Sequence, residues 1–198
     1  GYILDKINLV LAGFLLIVYP VTNYLPQSWA WENGPIEWLQ VFVLAFGAFL
    51  SYFYAKAALK KQKFDEVKFY KIIIPMLALM IGRELSWGRV LFVIEMTEKG
   101  PRLPSFEEIE YGFVVHPIIG VIIVVWLFYL YRYKTIYFVL NKIKSQNFPF
   151  MTTSITFIAG ILAIYAERYL HNQLIEELAE LLAYIGFVST ISLMRDKT

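Results

Sequence analysis

Apolar residues run in blocks of about twenty along this chain, with neither strict alternation nor the narrow stripe of a soluble amphipathic helix. Six blocks recur: roughly Asn8–Tyr24, Pro35–Ala55, Phe69–Met96 with an interruption from Arg83 to Arg89, Gly112–Tyr131, Phe148–Arg168 and Leu174–Met194. A helix rising 1.5 Å per residue needs about 20 residues to cross ~30 Å of hydrocarbon, so each block predicts a transmembrane helix. An open sheet would leave backbone groups unpaired in lipid, and no block has the period-two pattern of a barrel strand. Short connections predict antiparallel neighbours, hence an all-α polytopic membrane protein with a single bundle of six transmembrane helices, one domain over residues 1–198. Pro20 and Asn23 are followed by no small-residue cleavage pattern, so the first block reads as a retained helix and not a signal peptide.

Composition agrees. Hydrophobic residues make up 59% of the chain and charged ones 17%, more apolar surface than a water-soluble domain of 198 residues can cover. The absence of cysteine excludes disulfides, thiolate metal sites, Fe–S ligation and a Cys nucleophile. A net charge of +2 with no single basic face argues against a nucleic-acid partner. The expected partners are the lipid bilayer and, for an accessory role, other membrane subunits.

Orientation follows from the basic residues. The N-terminal tail, the Lys56–Lys71 and Arg132–Lys144 connections and the C-terminal tail hold 13 of the 18 Lys and Arg residues, and six spans put all four on one side. The positive-inside rule makes that side cytoplasmic, with both termini there. Twelve of the sixteen Asp and Glu residues fall on the opposite side or in the adjoining helix ends.

The ionisable residues inside the blocks define a candidate site, since each costs at least ~2.5 kcal/mol to place within a bilayer. Glu37, Glu167 and His171 are expected near the outer boundary, His116 one turn inside, Glu176, Glu177 and Glu180 in two turns of the last helix, and Arg83 and Glu84 deepest, ~12 Å down at 1.5 Å per residue. In the last helix Gln173, Glu176, Glu177, Glu180 and Tyr184 share one face and Leu174, Leu178, Leu181 and Leu182 the other. Stripes of small and polar residues, Thr153, Thr156, Gly160, Ala163, Glu167 and His171 in one block and Glu37, Gln40, Gly47, Ala48, Ser51 and Ala55 in another, are expected to face inward. The segment Gly82–Arg89 has polar groups all round, which suits a central helix or one unwound at its glycines. Glu84 should contact Arg83 or Arg89.

Arg83-Glu84-Leu85-Ser86-Trp87-Gly88, with Glu37-Trp38 opening the second block and a Glu- and Leu-rich last helix after His171-Asn172, resembles a group of small bacterial membrane proteins with a Glu-x-Ser-Trp-Gly motif. The group carries an acidic residue where this chain has Arg83. The resemblance implies a protein of the bacterial inner membrane, and it implies no activity.

Several chemistries suit an acidic, outward-facing intramembrane pocket. A cation, metal or small polar ligand is the leading expectation, with Glu167, His171, Glu177 and Glu180 as metal ligands and Glu37, Arg83, Glu84, Arg89, His116, Arg168 and Glu176 around a bound ligand. The cofactor is left open: a divalent metal fits the carboxylates better than haem, for which His116 and His171 would be the axial ligands of a b-type centre in a pocket too acidic for its propionates. An embedded hydrolase is another alternative. Glu84, Arg89, His116 and His171 follow an order similar to the Glu-Glu-x-x-x-Arg, Phe-x-x-x-His and His-x-x-x-Asn motifs of the CAAX-type membrane proteases, but Arg83 replaces the first Glu, Arg89 is five residues after Glu84, Phe113 is three before His116, and Ile175 stands in for the Asn. The remaining alternative is a register-fixing network in an accessory subunit, in which Arg83, Arg89 and Arg168 neutralise Glu37, Glu84 and Glu180.

Overall fold

The computed structural model describes residues 2–98 and 100–195; Lys99 and the last three residues, which enter the charge argument above, lie outside them. The elements are α1 (Tyr2–Val21), α2 (Pro35–Lys60), α3 (Phe64–Glu84), the strands β1 (Glu95–Thr97) and β2 (Gly100–Arg102), α4 (Gly112–Arg132), α5 (Thr135–Lys144), α6 (Phe150–Tyr165) and α7 (Gln173–Leu193). The fold is all-helical apart from the β1–β2 hairpin, which is antiparallel with Met96 opposite Pro101.

Three helices are long and apolar enough to cross a membrane: Pro35–Lys60, Gly112–Arg132, and Phe150–Leu170, in which α6 continues into the π-helical turn Ala166–Leu170. The case is strongest for α4, whose apolar window has no buried residue and presents Val124 at 66% exposure. A helix this apolar, with so much of its surface exposed, is suited to hydrocarbon. The other three predicted blocks are also helical, as α1, α3 and α7. Charges enter the ends of two of them, Asp65, Glu66, Arg83 and Glu84 in α3 and Glu176, Glu177 and Glu180 in α7, and shorten their apolar windows.

Two expectations need correction. The third block does not run to Met96: α3 stops at Glu84, and Met96 lies in β1. Ser86 (φ 45), Trp87 (φ 55) and Gly88 (φ 92) are left-handed in succession, a path no right-handed helix of L-residues continues through. The unwinding therefore includes Gly88 but not Gly82, where a Cβ would stand 2.4 Å from Cζ3 of the Trp87 indole folded back on it. The Arg132–Lys144 connection is not a loop, for it contains α5. That helix exposes Ile136, Leu140 and Ile143 along one side.

The chain divides into two compact units, residues up to Val43 with those from Pro149 onward, and Leu44–Phe148. In the first, Leu11, Val18, Ile36, Ile155, Ala159, Leu174, Leu178 and Leu182 form a buried core. Its polar fastening is Asn8, whose Oδ1 accepts from Thr152 Oγ1 at 2.7 Å with both residues buried. Asn172 caps α7 by accepting from the Ile175 N–H at 3.1 Å, satisfying one of the orphan donors of its first turn. In the second unit the Phe69 and Phe138 rings meet at 5.0 Å, and Trp126 Nε1 donates to the Ile72 carbonyl at 3.0 Å, tying α4 to α3.

Close approach of α6 and α7 depends on Gly186, where a Cβ would lie 2.2 Å from Thr156 Oγ1. That hydroxyl already donates to the Thr152 carbonyl at 2.8 Å, so moving it breaks a bond. Gly186→Ala should cost ~1–3 kcal/mol, and Gly186→Ala combined with Thr156→Ala should recover most of the loss. Equal stability of wild type and Gly186→Ala in an unfolding titration would refute the contact.

Candidate functional site

The first unit holds Glu37, Glu167, Arg168, His171, Glu176, Glu177 and Glu180, and the second holds Arg83, Glu84, Arg89 and His116. Each set has its own geometry.

In the first unit the polar focus is on α2 and α7. Gln40 is fully buried (0% exposed), and its Nε2 donates to the Glu177 carbonyl at 3.0 Å and to Glu177 Oε2 at 2.8 Å. A backbone carbonyl can only accept, so the amide must turn its nitrogen toward Glu177. That leaves Gln40 Oε1 as a buried acceptor with no hydrogen-bond partner. An unpaired buried acceptor costs ~1–3 kcal/mol, and native proteins keep few of them. One turn before Gln40, Glu37 is half-buried, and its carboxylate accepts from the Asn33 N–H. Asn33 Oδ1 in turn accepts from Trp38 Nε1 at 2.8 Å. Glu176, Glu177 and Glu180 are all half-buried on α7, while Leu174, Leu178, Leu181 and Leu182 on its other face are buried, as the two-faced pattern predicts.

Glu167 and His171 fall differently from expectation. The stripe on α6 brings Ala163 into the interior, yet Glu167, Arg168 and His171 are exposed. The cause is local: Glu167 lies in the π-helical turn, which rotates the chain relative to an α-helix, and His171 ends it in the left-handed region (φ 49). Among the described residues no group of three or more His, Asp or Glu side chains is arranged to hold a metal ion. Glu167, His171, Glu177 and Glu180 are accordingly not gathered into the metal shell expected from sequence.

In the second unit Glu84 is 6% exposed, and its Oε1 accepts from Arg83 Nη2 at 2.7 Å and Arg83 Nε at 3.0 Å, while the Arg83 side chain is 57% exposed. Arg89 lies apart from this pair. Its guanidinium donates to the Ser86 carbonyl at 3.2 Å and the Pro104 carbonyl at 3.3 Å, and it stacks 4.7 Å from the Phe106 ring. The His116 ring meets Phe106 edge-on at 4.7 Å. Phe106 thus contacts both the arginine and the imidazole, linking Arg89 and His116 in one packed ladder.

Beside that ladder lies an open cleft of about 600 Å³ whose rim includes Glu107, Glu108, Glu110 and His116. Glu108 is committed to a capping box: the Ser105 N–H donates to its Oε2 at 2.7 Å. That bond, the Ser105 hydroxyl and the nearby Arg102 charge hold its carboxyl below the usual range. Sequence reasoning named Gln40 only as part of a small-residue stripe; the signal was a full-length amide among residues otherwise small enough for helix contact.

No protein-family model matches the chain, and no curated protein and no solved structure matches it. The length and apolarity of three of its helices fit a membrane protein.

Proposed function

We propose that this chain is an integral protein of the bacterial inner membrane, its six long helices crossing the bilayer with both termini cytoplasmic, and that it holds a cation or small polar ligand at the acidic seam of α2 and α7. The carrying observation is the buried Gln40 Oε1, an acceptor without a donor beside the Glu177 carboxylate. The complement of such a pair is a positively charged hydrogen-bond donor, such as an ammonium or amine, or a small monovalent cation. Glu37, Glu176 and Glu180 of the same unit supply further negative charge. The described carboxylates form no three-ligand shell, which favours this class over a tightly held divalent metal.

Thermal unfolding in detergent tests the reading. A ligand at 100 times its Kd should stabilise the wild type by ~2.7 kcal/mol, so melting should rise with one member of a panel of sodium, potassium, ammonium and methylammonium chlorides at constant ionic strength. Gln40→Leu, which also gives up the two hydrogen bonds to Glu177, should melt somewhat lower without ligand and lose that dependence. A wild type indifferent to every member, and also to chelators, divalent metals and haem, would leave the accessory-subunit reading in place of a site. The orientation has its own readout: reporter fusions at Lys63 and Asn141 should read cytoplasmic and a fusion at Lys99 extracytoplasmic, and the reverse pattern would move the seam to the cytoplasmic side.

A further inference from the structure

The junction of α4 and α5 encloses a cleft of about 500 Å³ between the start of α3, the end of α4 and the start of α5. Lys68, Arg132 and Lys134 line it against one carboxylate, Asp65, which lies 3.1 Å from Lys68 Nζ. The ten-residue α5 starts here, after a turn that places Lys134 in the left-handed region (φ 50), so the positive end of a helix dipole adds to the cationic field. A second feature is independent of charge. Thr135 lines the same cleft and is 7% exposed, and its Oγ1 has no hydrogen-bond partner. A buried hydroxyl without a partner is unfavourable, and it is relieved by an acceptor seated against it.

We infer that this cleft binds the phosphate group of an anionic phospholipid. A phosphate oxygen accepts from Thr135 Oγ1, the Arg132 guanidinium engages two more, and Lys134 supplies a mobile point charge. The apolar side of α5 chooses between a lipid headgroup and free phosphate. Ile136, Leu140 and Ile143, spaced i, i+4 and i+7, are exposed as the face of a helix lying in the membrane interface, where headgroup phosphates are concentrated.

The test compares melting in nanodiscs of phosphatidylcholine, in discs containing phosphatidylglycerol, and in phosphatidylcholine discs with added inorganic phosphate. Wild type should melt several degrees higher with phosphatidylglycerol and be unchanged by inorganic phosphate. Thr135→Val keeps every charge; it should match wild type in phosphatidylcholine and lose at least half of the phosphatidylglycerol shift, whereas Thr135→Ser retains it. An undiminished shift in Thr135→Val would mean diffuse electrostatics and overturn the site. A matching shift with inorganic phosphate would assign a soluble anion instead, and no shift in any disc would also overturn the inference. If Thr135→Val fails to fold, native mass spectrometry decides: phosphatidylglycerol retained by wild type and released from Lys134→Gln supports the site, and equal retention refutes it.

Discussion

Arg83→Gln should destabilise the protein more than Glu84→Gln does, by ~2–4 against ~1–2 kcal/mol, and the double variant should lose less than the sum. The asymmetry comes from burial, not from charge. The Glu84 side chain is 6% exposed while that of Arg83 is 57% exposed. Removing the arginine takes both of its donated hydrogen bonds from a carboxylate held away from water, whereas removing the acid frees a guanidinium that can be resolvated where it stands. A double-mutant cycle in a denaturant or detergent unfolding titration should return a coupling of ~1–2 kcal/mol. Strict additivity, or a larger loss in Glu84→Gln, would dismiss the pair.

How much of this was legible beforehand depends on whether a feature is written in periodicity or in backbone geometry. Apolar runs located all six long helices to within a few residues at most ends, because hydrophobic length is a property of the chain alone. The two faces of α7 were equally legible, since a leucine face opposite a glutamate face needs only the helical period. What escaped was set by a few residues of unusual φ. Ser86, Trp87 and Gly88 end α3 in left-handed conformations, and two of them carry side chains that ordinarily avoid that region, so neither propensity nor apolarity announces the break. Lys134 ends α4 in the same way and lets α5 begin as a separate helix inside what reads as a basic loop.

The candidate site divided along the same line. Glu84 beside Arg83 could be anticipated from adjacency and confirmed by geometry. Glu167 and His171 could not be placed, because extrapolating a 3.6-residue period through the π-helical turn at Ala166–Leu170 puts both on the wrong side. Gln40 illustrates the opposite limit. Its burial follows from the small-residue stripe, but its unpaired oxygen depends on which atoms of α7 it meets, a tertiary fact with no local signature.

Gly112→Ala is the substitution with the largest steric cost, ~3 kcal/mol or more. A Cβ at this position would stand 1.6 Å from the Phe106 carbonyl oxygen and 2.6 Å from its carbon. Both are backbone atoms, so no rotamer change relieves the overlap, and either the start of α4 or the Phe106–Glu108 turn must move. Moving the turn displaces Phe106 from its contacts with Arg89 and His116, each 4.7 Å from its ring. The control is in the same helix: a Cβ at Gly120 meets nothing within 4 Å, so Gly120→Ala should be neutral or stabilise by up to ~1 kcal/mol through helix propensity and chain entropy. Unfolding midpoints of the two variants in one detergent give the comparison directly. If Gly112→Ala proves as benign as Gly120→Ala, α4 does not begin against the Phe106 carbonyl, and the Arg89–Phe106–His116 ladder loses the backbone contact that fixes it.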